Sequence, residues 1–270
     1  MALTRLRLSS PLHARILAWI SLFPIAVQFA LAQTPSDPVR ETRNTALEPD
    51  DAKPFAPGVR IRWRDRVVEI DARVVLREGP LELFACSPQT REHESIFAIK
   101  ARPLHVHQAM GLIGLLPGNP VTFQKETQAL APPRGAKVLI DVVTGKGESS
   151  RTMPAASFVR SAGDRKPVGD VDWVFAGSKT MSSGRYAADS EGTVIALVDF
   201  DTALIAVGAL HSADNEALWV EANTDAIPPL DESVVIRIRP REGPNVPRAG
   251  DTVDRKEKDE GKPSADPKKP

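Results

Sequence analysis

Alternation of apolar and charged residues with a period of two constrains this chain more than any other feature. Val59-Arg60-Ile61-Arg62-Trp63 alternates apolar and basic side chains, and Val234-Val235-Ile236-Arg237-Ile238-Arg239 does much the same before Pro240 ends it. A segment with that period can bury one face and keep the other in water only as a β-strand, because on a helix the same residues would scatter around the axis. Residues 67–76 mix alternation with apolar pairs and run into the turn cluster Arg77-Glu78-Gly79-Pro80, after which residues 81–86 resume as a meander. Residues 95–100, 137–143, 171–175, 193–198 and 218–221 continue the series. Most of the core is therefore predicted to be sheet.

One segment carries helical punctuation instead. Pro103, whose missing N–H costs nothing in a first turn, opens a run that closes at Leu116 before Pro117-Gly118. Val106, Ala109, Met110, Ile113 and Leu116 form one stripe, with Gly111 and Gly114 on a neighbouring face beside His107, where glycine permits a close approach to another backbone. A second short helix is expected over residues 199–207, with Asp199 as its N-cap. These elements predict an α+β domain: a mainly antiparallel sheet with one or two packed helices.

The ends of the chain differ from its middle. Residues 1–32 have the order of a secretory signal: Arg5, Arg7 and Arg15, an apolar stretch broken by Pro24 and Gln28, then Ala30-Leu31-Ala32 as an A-x-A cleavage site. Cleavage after Ala32 is expected, because the stretch is too short and broken for a spanning helix. No cysteine follows the cut to carry a lipid. Residues 33–57 are rich in proline and polar turn residues and read as a disordered linker, and residues 243–270 read as a disordered charged tail. Between them, residues 58–242 have the size of one domain. The expected product is periplasmic or secreted, with no membrane span after signal cleavage.

Composition narrows the partners only by exclusion. Thirty-five basic residues balance thirty-five acidic ones, so no net field favours nucleic acid or an anionic membrane surface. Cys86 is the sole cysteine, so no internal disulfide can form. It suits a small apolar core position at a strand end.

Two stretches read together give a family likeness. Gly79-Pro80-Leu81-Glu82-Leu83-Phe84-Ala85-Cys86 leads to Arg91-Glu92-His93-Glu94-Ser95, and His107-Gln108-Ala109 is followed by Gly111-Leu112-Ile113-Gly114-Leu115-Leu116-Pro117-Gly118. The pattern resembles the YdjY-type domain family of bacterial envelope proteins, and Trp173-Val174-Phe175-Ala176-Gly177-Ser178 and Asn223-Thr224-Asp225-Ala226-Ile227-Pro228-Pro229 extend the likeness across the domain. It implies little about activity. The family's loose ferredoxin-like label does not fit here, since an iron–sulfur cluster needs four cysteine-type ligands.

The candidate site is Glu92, His93 and Glu94, with His107 on the following helix and Cys86 on the preceding strand. Imidazole, carboxylate and thiolate together suit zinc or another divalent metal, yet Phe97 stands where an H-E-x-x-H motif needs its second histidine. The alternative is that His93 and Glu94 hydrogen-bond the turn. His105 and His107 point some 200° apart on a helix, so they cannot chelate together there. Asp189, Glu191, Asp199 and Asp201 offer oxygen ligands without the spacing of a calcium loop. No nucleophile elbow, phosphate loop or dinucleotide fingerprint is present, and Gly177-Ser178-Lys179 is only a fragment of one. The expectation is a non-catalytic module binding an envelope ligand or protein through the Glu92-to-His107 region, with a metal-binding protein or metal-dependent enzyme as the alternative.

Overall fold

The alternating segments close on themselves. The computed structural model describes residues 52–241; the expected signal, most of the expected linker and the charged tail lie outside the described residues. In chain order the elements are β1 (Lys53–Ala56), β2 (Val59–Arg62), β3 (Val67–Val74), β4 (Leu83–Cys86), β5 (Ser95–Ile99), α1 (Pro103–Leu112), β6 (Thr122–Gln124), β7 (Ala129–Ala131) and β8 (Ala136–Thr144). They continue as β9 (Arg151–Pro154), β10 (Val159–Ser161), β11 (Trp173–Phe175), α2 (Ala187–Glu191), β12 (Thr193–Ala196), β13 (Ile205–Val207), β14 (Val220–Ala222) and β15 (Ser233–Pro240). Strands pair in the order β3, β15, β8, β11, β13, β12, β4, β5, and β5 returns to β3 to complete an eight-stranded closed barrel.

This corrects the expected α+β class. Strand closure removes the sheet edges and lets side chains inside the ring form the core, so no helical layer is required. Among the described residues α1 is the one helix longer than seven residues; it packs on β2, β3 and α2, and its Val106, Ala109 and Met110 join the same core cluster as the inward-facing strand residues. The second predicted helix is also corrected. Ala203-Leu204-Ile205-Ala206-Val207 is buried throughout and includes strand β13, parallel to β12. A short continuous apolar run fits a doubly covered strand as well as a helix, and periodicity alone cannot separate them. The strand region also starts earlier than the expected boundary, since Lys53–Ala56 pairs with β2.

Inside the ring, Phe84, Phe97 and Phe158 meet edge to face, with ring centroids 5.2 to 6.3 Å apart, and Trp173 reaches Phe84 at 6.1 Å. On β3, β15 and β8 the alternation is literal. Val68, Ile70, Ile236, Ile238, Val138 and Ile140 point inward, while outside Glu69 lies under Arg60, Arg62 and Arg237 and Arg239 pairs with Asp141. Opposite charges on adjacent strands fall in register, which is the sheet form of side-chain pairing.

Strand β3 pairs with two partners along one edge: residues 67–70 with β2 and residues 72–74 with β5. The handover is at Asp71, whose N–H donates to Gly58 O while its carbonyl accepts from Lys100 N. Gly58 has φ +72, and a Cβ there would sit 2.5 Å from the Lys100 carbonyl oxygen. Only glycine lets β2 and the end of β5 meet at this branch.

Two neighbouring pairs in the ring are parallel, β4 with β5 and β12 with β13. Each is joined by a short return, residues 87–94 and residues 197–204. Parallel strands usually need a connection of a dozen residues or more, so these returns must be tightly braced. That requirement shapes the candidate site.

Candidate functional site

The Arg-Glu-His-Glu-Ser motif is the end of the first return. Glu92–Glu94 forms a single 3-10 turn leading into β5. The Glu92 carboxylate takes both of its oxygens to Arg73 Nη2, at 2.9 and 3.0 Å, and also accepts the Gln89 N–H. The buried Ser95 hydroxyl donates to Arg91 O at 2.7 Å, and the Thr90 hydroxyl donates to Ser87 O. The turn is therefore held at both ends, and the Glu92 carboxylate, expected to take part in binding, is ion-paired with Arg73.

Arg91 is the centre of the cluster. Its Nη1 lies 2.6 Å from Glu94 Oε1 and 3.4 Å from Glu82 Oε2. Its guanidinium sits 4.6 Å from the centroid of Phe200, which belongs to the second return, a cation–π geometry. Burial, followed by the neighbouring Glu94 carboxylate, pushes the Glu82 carboxyl up, with Arg91 and His93 opposing. His93 stands outside this bracing. Its side chain is 78% exposed, with Nε2 3.5 Å from Glu94 Oε2.

His107 has different neighbours. The Tyr186 hydroxyl donates to Gly177 O at 2.8 Å, which leaves it to accept from His107 Nδ1 at 2.9 Å. The imidazole also lies edge-on to Phe175. Burial lowers the His107 pKa against the pull of the Gly177 carbonyl, which favours the neutral ring at pH 7. Burial likewise raises the Tyr186 phenol well above its usual range. His105 lies on the same helix with its Nδ1 buried and without a hydrogen-bond partner.

Gly114 does not serve the close approach that the sequence suggests. With φ +84 it takes the left-handed position after α1, where Gly114 N donates to Gly111 O and Leu115 N to Met110 O, the two bonds of a Schellman cap. Nothing lies within 4 Å of a Cβ built on Gly111.

Cys86 is a core residue, fully buried with Leu83, Ala98 and Ala196. Burial pushes its thiol up, against hydrogen bonds from Ser95, Thr90 and the Arg91 backbone. Among the described residues no three His, Cys, Asp or Glu side chains group as a metal site. Three of the four acidic residues considered for calcium have other partners. Asp189 accepts the Leu104 N–H at the start of α1 and pairs with Arg102, Asp201 pairs with Lys179, and Asp199 accepts the His211 N–H.

Sequence reasoning missed Glu82, Arg73, Phe200 and Tyr186 as parts of these clusters. Glu82 lies inside the quoted motif stretch, and Tyr186 is the only tyrosine of the chain, so both left a signal. Arg73 and Phe200 left none, because their roles depend on which strands neighbour each other.

The motif turn and nearly all of the barrel lie within one region of similarity. The family model for the YdjY domain matches residues 59–239. The chain belongs to the YdjY domain family. The YdjY match begins at the first residue of β2 and ends one residue before the end of β15, so it takes in β2 and all but the last residue of the closed ring. No curated protein and no solved structure matches the chain.

Proposed function

We propose that this YdjY domain is an exported, non-catalytic envelope module that binds a ligand or protein partner through the motif turn, with His93 as its presented side chain. The observation behind the reading is the division of labour within the motif. Glu92 and Glu94 are each bound to an arginine, which takes them away from acid–base or ligand chemistry, while His93 faces solvent on a turn braced from two returns. Rigid support beneath an exposed side chain lowers the entropy lost on binding. Export is supported by the signal-like order of residues 1–32.

Two measurements test this reading. N-terminal sequencing of the protein from an envelope fraction should begin at Gln33; an intact Met1 would contradict export. A photo-crosslinking amino acid at exposed position 89 of the same return should give one discrete adduct in living cells, and both His93→Ala and Arg91→Ala, which loosens the turn, should abolish it. Unchanged crosslinking in Arg91→Ala would remove the braced turn as the recognition element.

A further inference from the structure

Eight large apolar side chains are exposed among the described residues, and five of them, Trp63, Leu112, Leu116, Phe123 and Leu130, gather at one end of the barrel. The registers place them there. Val68 near the start of β3 faces Ile238, and Pro240 at the end of β15 faces Val138 near the start of β8, so the β2–β3 turn and the start of β8 share one end of the ring. Arg66 Nε in that turn donates to Ile113 O at the end of α1, at 2.9 Å. Leu116 O accepts from Ala136 N as β8 begins.

From the same place the β6–β7 hairpin projects, based on the Asn119–Arg134 bridge. It forms its own two-stranded sheet, with Phe123 directly opposite Leu130. Phe123 is 58% exposed and Leu116 is 76% exposed. A two-stranded ribbon is marginal in water on its own, and an apolar group of this kind marks a surface that is covered in use.

The charges at this end indicate what covers it. Arg64, Arg66, Lys125 and Arg134 stand against Asp65 and Glu126 in the turn and hairpin, whereas the whole chain is neutral. Asp65 is engaged by Arg62. Arg66 and Arg239 line a cleft of about 390 Å³ with Asp65, Leu139, Pro240 and Arg241, so three arginines there stand against one carboxylate. Arg239 is paired with Asp141 and Arg241 with Asp170, but Arg66 meets no carboxylate among the described residues, only the carbonyl end of α1. An arginine that lines a cleft without a carboxylate of its own suits a phosphate oxygen. Aromatic and aliphatic side chains beside basic ones match the boundary between acyl chains and anionic headgroups.

We propose that this end of the barrel docks on an anionic lipid surface, with the hairpin, Leu112, Leu116 and Trp63 entering the interface and the Arg66 cleft receiving a lipid phosphate. The proposal is independent of the motif-turn reading, which concerns other residues.

The test is local, so that binding by the apolar residues 16–32 cannot imitate it. The full chain carrying Leu130→Cys is labelled with an environment-sensitive fluorophore; buried Cys86 stays unlabelled in the folded protein. A second labelled protein carries Lys166→Cys on the loop after β10. Phosphatidylglycerol vesicles should shift the emission of the position-130 probe to the blue and leave the position-166 probe unchanged, and pure phosphatidylcholine vesicles should give a much smaller shift. Phe123→Glu with Leu116→Glu should abolish the shift, and both positions are exposed enough to leave folding intact. Arg66→Gln should weaken vesicle affinity by about tenfold, as expected for losing a charge-assisted bond. A position-130 probe that stays aqueous on phosphatidylglycerol vesicles, even when the chain co-sediments with them, overturns the proposal. So does a blue shift that needs no vesicles and grows with protein concentration, which would make the cover a second copy of the chain.

Discussion

Glu82 and Glu94 bring two carboxyls to one guanidinium, and the pair has a pH signature. Burial and the Glu94 carboxylate raise the Glu82 pKa above its ordinary 4.5, so the folded protein holds that proton more tightly than the unfolded chain does. The resulting stability is fully present below the unfolded value and is lost as pH rises through the folded one. Urea unfolding from pH 4 to pH 7 should therefore show the native protein losing stability relative to Glu82→Gln. A difference between the two that stays flat with pH would contradict a raised Glu82. At this scale the sequence was only half legible. The motif residues were visible as a unit, but their chemistry was set by Arg73 on a neighbouring strand and Phe200 on the other return, and no local spacing encodes either. The same limit applies to His107, which looked like a companion of His93 until the ring placed Tyr186 against it.

Three glycines show how element geometry decides the sign of a substitution. Gly111 has ordinary helical φ and open space around it, so Gly111→Ala should stabilise by about 0.5 kcal/mol through helix propensity. Gly114→Ala puts a Cβ into the left-handed cap, 3.1 Å from the Arg66 guanidinium, and should cost about 1 kcal/mol. Gly58→Ala combines positive φ with a backbone collision at the branch and should cost about 2 to 4 kcal/mol. The order of urea midpoints, Gly111→Ala above the native protein, then Gly114→Ala, then Gly58→Ala, checks all three. Strands such as β2, β3, β8 and β15 were legible because one face is ion-paired in water and the alternation survives in the residues. Strands β12 and β13 are covered on both faces, which erases the alternation and leaves their apolar runs ambiguous.

At the scale of the whole molecule, closure was not legible at all, because it depends on pairings between distant segments. Strand β15 lies between β3 and β8, with six paired positions on each side. Removing residues 233–241 should leave two unpaired edges and no closed core. The shortened chain should lack cooperative unfolding by circular dichroism and should aggregate; a soluble, cooperatively melting product would show that the ring does not depend on its last strand. The position of that strand also sets an order of events during synthesis. A chain emerging amino end first can form the β2–β3 hairpin and the first return early, but the seam between β3 and β8 stays open until residue 240 has emerged. Until then the growing polypeptide is an unfinished cylinder, dependent on whatever shields its two raw margins, and its final strand acts as the latch that turns a sheet into a vessel wall.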